Sequence, residues 1–598
     1  MISPMTRYSF ILLNGEQAGL LEQLQELGLV DITRSVKPVD DESARLSAQI
    51  EEIDSLIRSL SQAEIPEEAT PVPAEDPKLV RLCQDTLSRY ADALAQEKAL
   101  LKEAEERRAW GRFDPNLMDQ LAAAGIPIHF HKLSVKAFRP EWAESYALSV
   151  IEQGKDGVRF VVAGEDALPG EVPAPAADVT RSEAELAQLQ DSLRVLQGMI
   201  LSLRERLPEL EERRATLYAD LDRYLAGAAA VPAAEDTIVT LEGFAPKADE
   251  AAVTAKLDEL DVFYLKDAAK AEENPPIAFR NNKFVKMFEP LTDMYGRPAY
   301  NGFDPTPFIS IFFMLFFAFC MGDCGYGLVL VAVGLLMGRS AGMKALAPLV
   351  TTLGCATVVV GFLFHTFFSM DIAQWELLRP IRRIFLPSKI MGYDGTMVLA
   401  LLVGVFHICL AMVVKTCNET KNKGFLGSLG TWGWTLLVVG GVIVGGIAFA
   451  GVMSETVTKW VVIILGIVSD LGIFLLNDLH RNPLLNIGSG LWETYNTVTG
   501  LLGDVLSYLR LYALGLAGSM LGLAFNKIGL MVLGDGDNYL LWLPFVLIVL
   551  VGHVLNNAMA ALGAFVHPLR LNFLEFFKNS GYEAAGRKYN PLTKNNNK

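Results

Sequence analysis

The feature that most constrains the fold is a series of apolar runs in the second half of the chain. Runs of this kind are typical of membrane helices, because a helix satisfies its own backbone hydrogen bonds where water is absent. The first two are short, and the GDCGYG between them is interpreted as a bend, a tight hairpin or part of a cavity lining. The last two exceed the roughly 20 residues of a perpendicular span, so they must tilt, bend or protrude. The eight runs are residues 308–320, 326–337, 346–370, 397–414, 432–453, 460–476, 498–533 and 540–577.

Eight spans place both ends of the chain on one side of the membrane. With the first half in the cytoplasm, most basic loops then fall inside, as the positive-inside rule requires. One basic loop does not follow this rule, because residues 379–389, RPIRRIFLPSK, lie on the outer side of the membrane under this count. Either the segment 371–392 contains an interfacial amphipathic stretch, or the span count is wrong there.

Charge divides the chain in the same place as hydropathy. Residues 1–300 carry a formal charge of −20 and residues 301–598 carry +4, which together give the net −16. An acidic half does not suit nucleic acid, whose phosphates require a basic surface. The N-terminus has no basic flank followed by an apolar stretch, so we expect no cleaved signal peptide and a cytoplasmic first half. We expect the whole protein to be a multi-pass protein of the plasma membrane.

The first 300 residues predict two α/β lobes joined by a helical rod. Strand and helix patterns predict a proximal lobe of about residues 1–38 plus 236–275 and a distal lobe of about 109–178. Leucines at alternating three and four spacing predict a long antiparallel coiled coil of about residues 40–108 plus 180–227, with a kink at Pro208. The predicted fold class is therefore an α+β cytoplasmic dumbbell at 1–300, followed by an all-α membrane domain at 301–598. That domain has about eight helices, of which the last two are long and tilted.

No motif in the chain indicates nucleotide chemistry. Neither a GxxxxGK[ST] loop nor a GxGxxG between strand and helix occurs, so nucleotide hydrolysis belongs to another protein. Five of the six cysteines lie in the apolar half without metal-type spacing, and we expect neither disulfides nor a metal there. His129 and His131 are interpreted as surface residues. We predict no cofactor and no metal.

Two late helices each carry one arginine inside an apolar run. Arg510 lies near the centre of its run, where an arginine costs about 2.5–3.5 kcal/mol on insertion scales and normally faces a polar cavity or a partner. Its helical face is mostly small and partly polar, and consists of Asn496, Gly503, Ser507, Leu514, Ala517 and Leu521. Arg570 shares one side of its helix with His567, Gly563, Ala560 and Asn556. The alternative for both arginines is snorkelling to lipid headgroups.

A few other polar residues are candidates for a proton path. The acidic ones are Glu493, Asp504 and Glu575, and their polar companions are His553, His567, Asn556 and Asn557. Each is also compatible with solvation at the membrane edge. Asp504 lies about 240° around the helix from Arg510, so we expect no direct pair between them.

Arg510, Arg570 and Glu575 lie within two of four blocks that resemble one family. The blocks are NNKFVKMFEPLTDMYGRPAYNGFDPTPF (281–308), MGDCGYG (321–327), GDVLSYLRLYALGLA (503–517) and HPLRLNFLEFF (567–577). They resemble the membrane-embedded stator subunits of V/A-type rotary ATPases, called subunit I in bacteria and archaea and subunit a in vacuolar enzymes. With the dumbbell, the resemblance covers nearly the whole chain, and its length suits the bacterial or archaeal form.

The resemblance implies a mechanism and a set of partners. In the family, the N-terminal half holds peripheral stalks of the E and G type, and the C-terminal half faces a ring of proteolipid subunits whose carboxylates carry the ion. A central-stalk subunit of the d or C type caps the ring, and the bilayer surrounds both. Arg510 matches the essential arginine of the family and Arg570 its second one, with Glu575 as the half-channel carboxylate. The fixed cation favours release of the ion from a passing carboxylate and blocks leakage between the half-channels.

The ion path implied in this way comprises Arg510, Arg570, Glu575, His567, Ser507, Glu493, Asn556 and Asn557. Ahead of Arg510 the match is looser, because Asn496 stands where some relatives carry an acid, and Glu493 is nearby. By itself the chain is not an enzyme under this reading. A free-standing secondary transporter of an anionic substrate is the alternative, but no internal repeat of broken helices is present. A voltage sensor needs several regularly spaced arginines in one helix, and each helix here has one.

Overall fold

The structure, a computed structural model, describes most of the chain. The residues described are 1–35, 37–66, 69–73, 78–111, 115–154, 157–164, 168–174, 179–233, 237–260, 262–374, 376, 380, 383, 385–387, 389–475, 483–534 and 538–594. They form two compact units. The first comprises Met1–Ile11, Leu29–Asp31 and Glu242–Pro591, and the second comprises Leu12–Gly28, Ile32–Leu241 and Leu592–Lys598.

One sheet contains strands from the beginning of the chain and strands from residues 231–268. The strand order is β2-β8-β1-β9, with β7 on β8, and Tyr8 lies opposite Lys266 in the antiparallel pair β1–β9. Tyr8 and Phe10 are fully buried. The boundaries of the proximal lobe stay a prediction. The elements of this region are β1 (Met5–Leu13), α1 (Gln17–Leu27), β2 (Asp31–Ile32), β7 (Val231–Ala233), β8 (Ile238–Pro246), α8 (Glu250–Glu259) and β9 (Tyr264–Ala268).

Four long helices form the rod of the second unit. They are α2 (Asp41–Gln62), α3 (Leu79–Trp110), α6 (Val179–Glu205) and α7 (Leu207–Ala228). α2 runs antiparallel to α7, since Asp54 pairs with Arg214 at 2.9 Å while Asp40, just before α2, accepts from the Tyr224 hydroxyl at 2.6 Å. The break between α6 and α7 falls at Arg206, two residues before Pro208, as predicted. Leucine and isoleucine side chains close the core between the helices.

A smaller sheet with the order β4-β5-β3-β6 lies in the same unit. Its elements are α4 (Pro115–Ala123), β3 (Ile128–Leu133), α5 (Trp142–Ser145), β4 (Leu148–Gly154), β5 (Gly157–Ala163) and β6 (Glu171–Val172). His129 lies at the surface beside Glu171 at 2.7 Å. The prediction was wrong for His131, which is fully buried because its ring stacks at 5.1 Å on Phe160, its partner residue on β5.

Helices dominate the rest of the first unit. Two short ones, α9 (Lys283–Lys286) and α10 (Glu289–Tyr295), precede the apolar region. Five helical segments are long and apolar enough to cross a membrane: Gly395–Gly427, Leu429–Phe449, Glu455–Phe474, Asn486–Leu533 and Tyr539–Ser580. Three shorter apolar helices are Thr306–Met321, Cys324–Met337 and Ala347–Leu363. Each of the eight predicted runs thus falls on a helix, while the number of actual crossings stays a prediction.

The apolar helices are numbered in chain order. They are α11 (Thr306–Met321), α12 (Cys324–Met337), α13 (Ala347–Leu363), α14 (Gly395–Gly427), α15 (Leu429–Phe449), α16 (Glu455–Phe474), α17 (Pro483–Ser507), α18 (Leu509–Leu533), α19 (Trp542–Arg570) and α20 (Phe577–Ser580). A π-helix, Leu571–Phe576, joins α19 to α20. Buried side chains of these helices form a hydrophobic core, to which α11 contributes several phenylalanines.

The third run ends earlier than its composition predicts. α13 ends at Leu363, and the chain then turns into two small hairpins, β10 (Thr366–Phe367) with β11 (Met370–Asp371) and β12 (Lys389–Ile390) with β13 (Tyr393–Asp394). The reason is the buried carboxylate of Asp323, which accepts the backbone N–H groups of Phe368 at 2.9 Å and Ser369 at 2.6 Å. Much of the basic segment 379–389 lies outside the described residues.

Candidate functional site

Arg510 is the second residue of α18, directly after an interruption in the helix. α17 ends at Ser507 and α18 begins at Leu509. The Nη1 atom of Arg510 is buried and has no hydrogen-bond partner among the described residues. Within the same residues no carboxylate oxygen lies within 4 Å of its guanidinium. A buried guanidinium nitrogen without a partner is costly, so this position is suited to a partner outside the chain.

α19 and the π-helix bring further predicted residues next to Arg510. His567 lies within the electrostatic range of both Arg510 and Arg570, and its Nδ1 is buried without a partner in the described structure. Glu575 lies in the π-helix, is 4% exposed, and is influenced by Ser507 and by the charge of Arg510. Its Oε2 is also buried and unpaired among the residues described. Arg570 itself is exposed.

Asp504 is held away from the arginine, as its helical angle predicts. Its carboxylate accepts from Lys578 Nζ at 3.2 Å and from Asn579 Nδ2 at 2.8 Å. These contacts join α17 to α20.

One cavity opens on α17 ahead of Arg510. It has a volume of about 240 Å³, and polar residues on its wall include Lys415, Glu493, Asn496, Lys578 and Asn579. Glu493 is exposed and lies on this wall together with Asn496, one helical turn away. The structure therefore places the predicted Glu493 at a polar opening, separate from the Arg510 side chain.

A second cavity opens on α18 after Arg510. It has a volume of about 220 Å³, and its wall includes Leu511, Tyr512 and Gly515 of α18 with Thr366 and Asp394 of the hairpins. Leu501 on the first cavity and Leu511 on the second are ten residues apart, which is about 15 Å along a helix. Arg510 lies between the two openings.

Asn556 belongs to a different polar cluster. Its Nδ2 donates to the Tyr326 hydroxyl and to Gly518 O, both at 2.8 Å. The same hydroxyl lies 2.7 Å from His553 Nδ1, and His553 Nε2 lies 2.9 Å from Asn526 Oδ1. Neighbouring Asn557 has a buried Oδ1 without a partner in the described part of the chain. Residue 556 precedes Glu575 by nineteen residues on the same helix, about 28 Å, so the two asparagines do not join the Arg510 group.

Sequence reasoning missed several polar residues of the helical core. His407 and Tyr508 are fully buried and share a hydrogen bond of 2.9 Å between Nδ1 and the hydroxyl. Tyr326 and Asn526 complete the cluster around Asn556. A histidine inside an apolar run was the available signal for His407, because ionisable residues are rare in such segments.

Comparison with known proteins agrees with the motifs. The model of the V-type ATPase 116kDa subunit family matches residues 175–345. A-type ATP synthase subunit I of Methanocaldococcus jannaschii is 28% identical over 455 residues, which cover 70% of this chain and 64% of that protein. V-type ATP synthase subunit I 1 of Treponema pallidum is 26% identical over 643 residues, which cover 99% of this chain and 100% of that protein. The chain is therefore similar to subunit I proteins of V/A-type ATP synthases over most of its length.

Coverage of these subunit I relatives differs. The A-type ATP synthase subunit I of Pyrococcus abyssi is 31% identical over 333 residues, 54% of this chain and 48% of that protein. The chain thus spans about half to two-thirds of the length of these archaeal relatives. A crystal structure of the cytoplasmic N-terminal domain of subunit I, a homologue of subunit a of V-ATPase, covers 45% of this chain and 100% of that chain at 15% identity. Its TM-score is 0.16, too low to carry a conclusion about the fold.

Proposed function

We propose that this subunit I is the non-catalytic stator of a V/A-type rotary ATPase and forms the ion half-channels against a proteolipid ring. The observation that carries the proposal is the position of Arg510 between two cavities on the same helix pair. Each cavity supplies one aqueous half-channel. Arg510 separates them and offers its Nη1, which has no partner among the described residues, to a carboxylate that arrives from outside the chain.

The exposed faces of the last helices support a large partner within the membrane. In the most apolar stretch of Asn486–Leu533 only 11% of the residues are buried by the chain itself, against 39% for Gly395–Gly427. Large apolar side chains such as Trp492, Leu502 and Met520 are more than 60% exposed. Lipid acyl chains cover such a face equally well, but acyl chains have no acceptor for the buried Nη1 of Arg510. A ring that carries carboxylates satisfies both requirements.

Glu575 and Ser507 deliver the ion to or from the ring in this proposal. The charge of Arg510 acts on the carboxylate of Glu575, and Ser507 influences the same carboxylate, which supports this role. His567, which is influenced by both arginines, and Glu493, on the wall of the first cavity, extend the path. Asn556 and Asn557 line the path further along α19.

The remaining parts of the proposal concern assembly. The first 300 residues, held in the cytoplasm, bind the peripheral stalks of the E and G type, and the membrane domain lies beside the ring and its d- or C-type cap in the plasma membrane. The rod formed by α2, α3, α6 and α7 provides a stiff arm for that purpose. No observation favours a free-standing carrier.

The test is ATP-driven ion uptake into vesicles that carry the assembled complex, with sodium and without it. Arg510→Ala is expected to abolish uptake while the complex still assembles, because the ring carboxylate loses its counter-charge. Arg339→Ala, which removes an exposed arginine after α12, is the matched control and should transport normally. Normal uptake by Arg510→Ala would refute the mechanism, and the sodium dependence of the wild type identifies the ion.

A further inference from the structure

The interruption between α17 and α18 is a tight turn held by tertiary contacts. Tyr508 N donates to Val505 O at 3.2 Å, and Leu511 N donates to Tyr508 O at 3.0 Å, so the chain uses i to i−3 bonds on both sides of Tyr508. Such tightening inside a helix often marks a functional position. The local sequence SYLRL contains no glycine or proline that requires it.

Tyr508 anchors the back of the arginine helix to α14. It is fully buried and packs so closely on Gly404 that a Cβ there would lie 2.4 Å from its ring. Its hydroxyl lies 2.9 Å from His407 Nδ1, in a hydrogen bond whose direction depends on the imidazole tautomer. Two residues correspond to about 200° around a helix. Tyr508 therefore points away from Arg510, and its anchorage fixes the rotation of Arg510 without contacting it.

His407 contacts the other half of the site as well. Its ring stacks on Phe576 with centroids 4.7 Å apart and an angle of 8°, and Phe576 is the residue after Glu575 in the π-helix. Phe312 of α11 covers the imidazole from a further side at 4.1 Å. One buried side chain of α14 thus contacts both the segment that carries Arg510 and the segment that carries Glu575.

We propose that His407 and Tyr508 are positioning residues that set the separation of Arg510 and Glu575. This inference rests on the proposed function, because that separation matters only if the two groups act on the same ion. When Arg510 and Glu575 are correctly spaced, the ring carboxylate binds beside Arg510 while Glu575 exchanges the ion. When their separation is no longer fixed, the guanidinium of Arg510 moves away from the barrier between the half-channels, so that ions leak or fail to transfer.

The experiment compares Tyr508→Phe and His407→Phe in the assembled complex, in vesicles. We measure the amount of assembled complex, the ions taken up per ATP hydrolysed, and the passive ion leak. Each variant is expected to lower the number of ions per ATP about tenfold, since small displacements of a reacting group have effects of this order or larger. The leak is expected to rise. The double variant should be no worse than either single variant, because both remove the same contact.

The ratio of ions to ATP does not depend on how much complex assembles, so it separates positioning from stability. Thr292→Val is the matched control, because it removes another buried side-chain hydrogen bond, to Thr306 at 3.1 Å, away from the arginine. It should leave the ratio unchanged. His407→Gln keeps a hydrogen-bonding group without the ring and is expected to recover part of the ratio.

Two results would overturn the inference, and they differ from failure of the proposed function. If Tyr508→Phe and His407→Phe transport at the wild-type ratio while Arg510→Ala does not transport, the positioning role is wrong and the stator mechanism stands. The same conclusion follows if the variants only reduce the amount of complex. If Arg510→Ala itself transports normally, the proposed function fails, and the inference fails with it.

Discussion

Residues 581–591, which we call the C-terminal strap, follow α20 and pack on other parts of the first unit. The buried carboxylate of Asp31, 1% exposed, is one of the attachments of this strap. It accepts from Arg587 Nη1 at 3.2 and 3.3 Å and from the backbone N–H of Asn590 at 2.9 Å. We predict that Arg587→Ala loosens the strap.

The expected size follows from these contacts. Hydrogen bonds to charged groups contribute about 1.5–3 kcal/mol, whereas breaking a fully buried ion pair costs roughly 3–5 kcal/mol. The Arg587 side chain is 31% exposed, and Asp31 keeps its bond from Asn590, so the lower range applies. A loss of about 2 kcal/mol in the free energy of local opening corresponds to roughly 30-fold faster exchange of the amides that the strap protects.

Hydrogen exchange at the Asn590 and Tyr589 amides of the purified complex measures this loss. Lys588→Ala is the matched control, because its ammonium is 3.6 Å from Asp293 and 70% exposed, and exposed pairs contribute only about 0–1 kcal/mol. Equal exchange in Arg587→Ala and wild type would show that the strap is held by its other contacts. Those include the Tyr589 hydroxyl, which donates to Leu29 O at 2.5 Å.

Three further predictions concern other parts of the chain. Asp504→Asn should change ATP-driven uptake less than about twofold, because its partners Lys578 and Asn579 are polar and the exposed Lys578 pair contributes little; a loss as complete as that of Arg510→Ala would contradict it. Leu203→Ala should destabilise the helical rod by about 2–5 kcal/mol, seen as faster proteolysis of α6 in the full chain, because Leu203 is fully buried. Burial raises the pKa of the Cys83 thiol to about 11, so maleimide near neutral pH should label exposed Cys417 and leave Cys83 unlabelled until the pH approaches that value.

Much of the helical framework could be predicted from the sequence because length and composition determine it directly. An apolar run that is long enough to span a membrane has few alternatives to a helix, and each predicted run overlaps at least one helix. Leucine spacing in the same way predicted long helices in the first 300 residues, where α2, α3, α6 and α7 lie, and Pro208 is two residues from the break between α6 and α7. The dumbbell stays a prediction. The end of α13 could not be predicted, since it depends on Asp323, forty residues away.

The candidate site was predictable residue by residue but not as an arrangement. An ionisable residue in an apolar helix is rare, which is why Arg510, His567 and Glu575 were singled out, and the charge of Arg510 acts on the other two. The helical angle predicted no direct pair of Asp504 with Arg510, and Asp504 accepts from Lys578 instead. Asn556 has a similar sequence signal, yet it bonds to Tyr326 of α12, a partner that no local pattern indicates.

The irregular backbone at the site explains why its geometry belongs to the tertiary structure. The tight turn at Tyr508 and the π-helix of Leu571–Phe576 both depart from α-helical bonding, and such departures persist only where surrounding contacts hold them. The π-helix has a local contributor, because Pro568 lacks the N–H that would continue α19 and its carbonyl accepts from Asn572 Nδ2 at 2.9 Å. The turn at Tyr508 has none. The partner of Tyr508, His407, is 101 residues away and also stacks on Phe576, the residue after Glu575. The spacing of Arg510 and Glu575 therefore depends on α14, a third helix, and no pattern in the sequence of α14 links it to either residue.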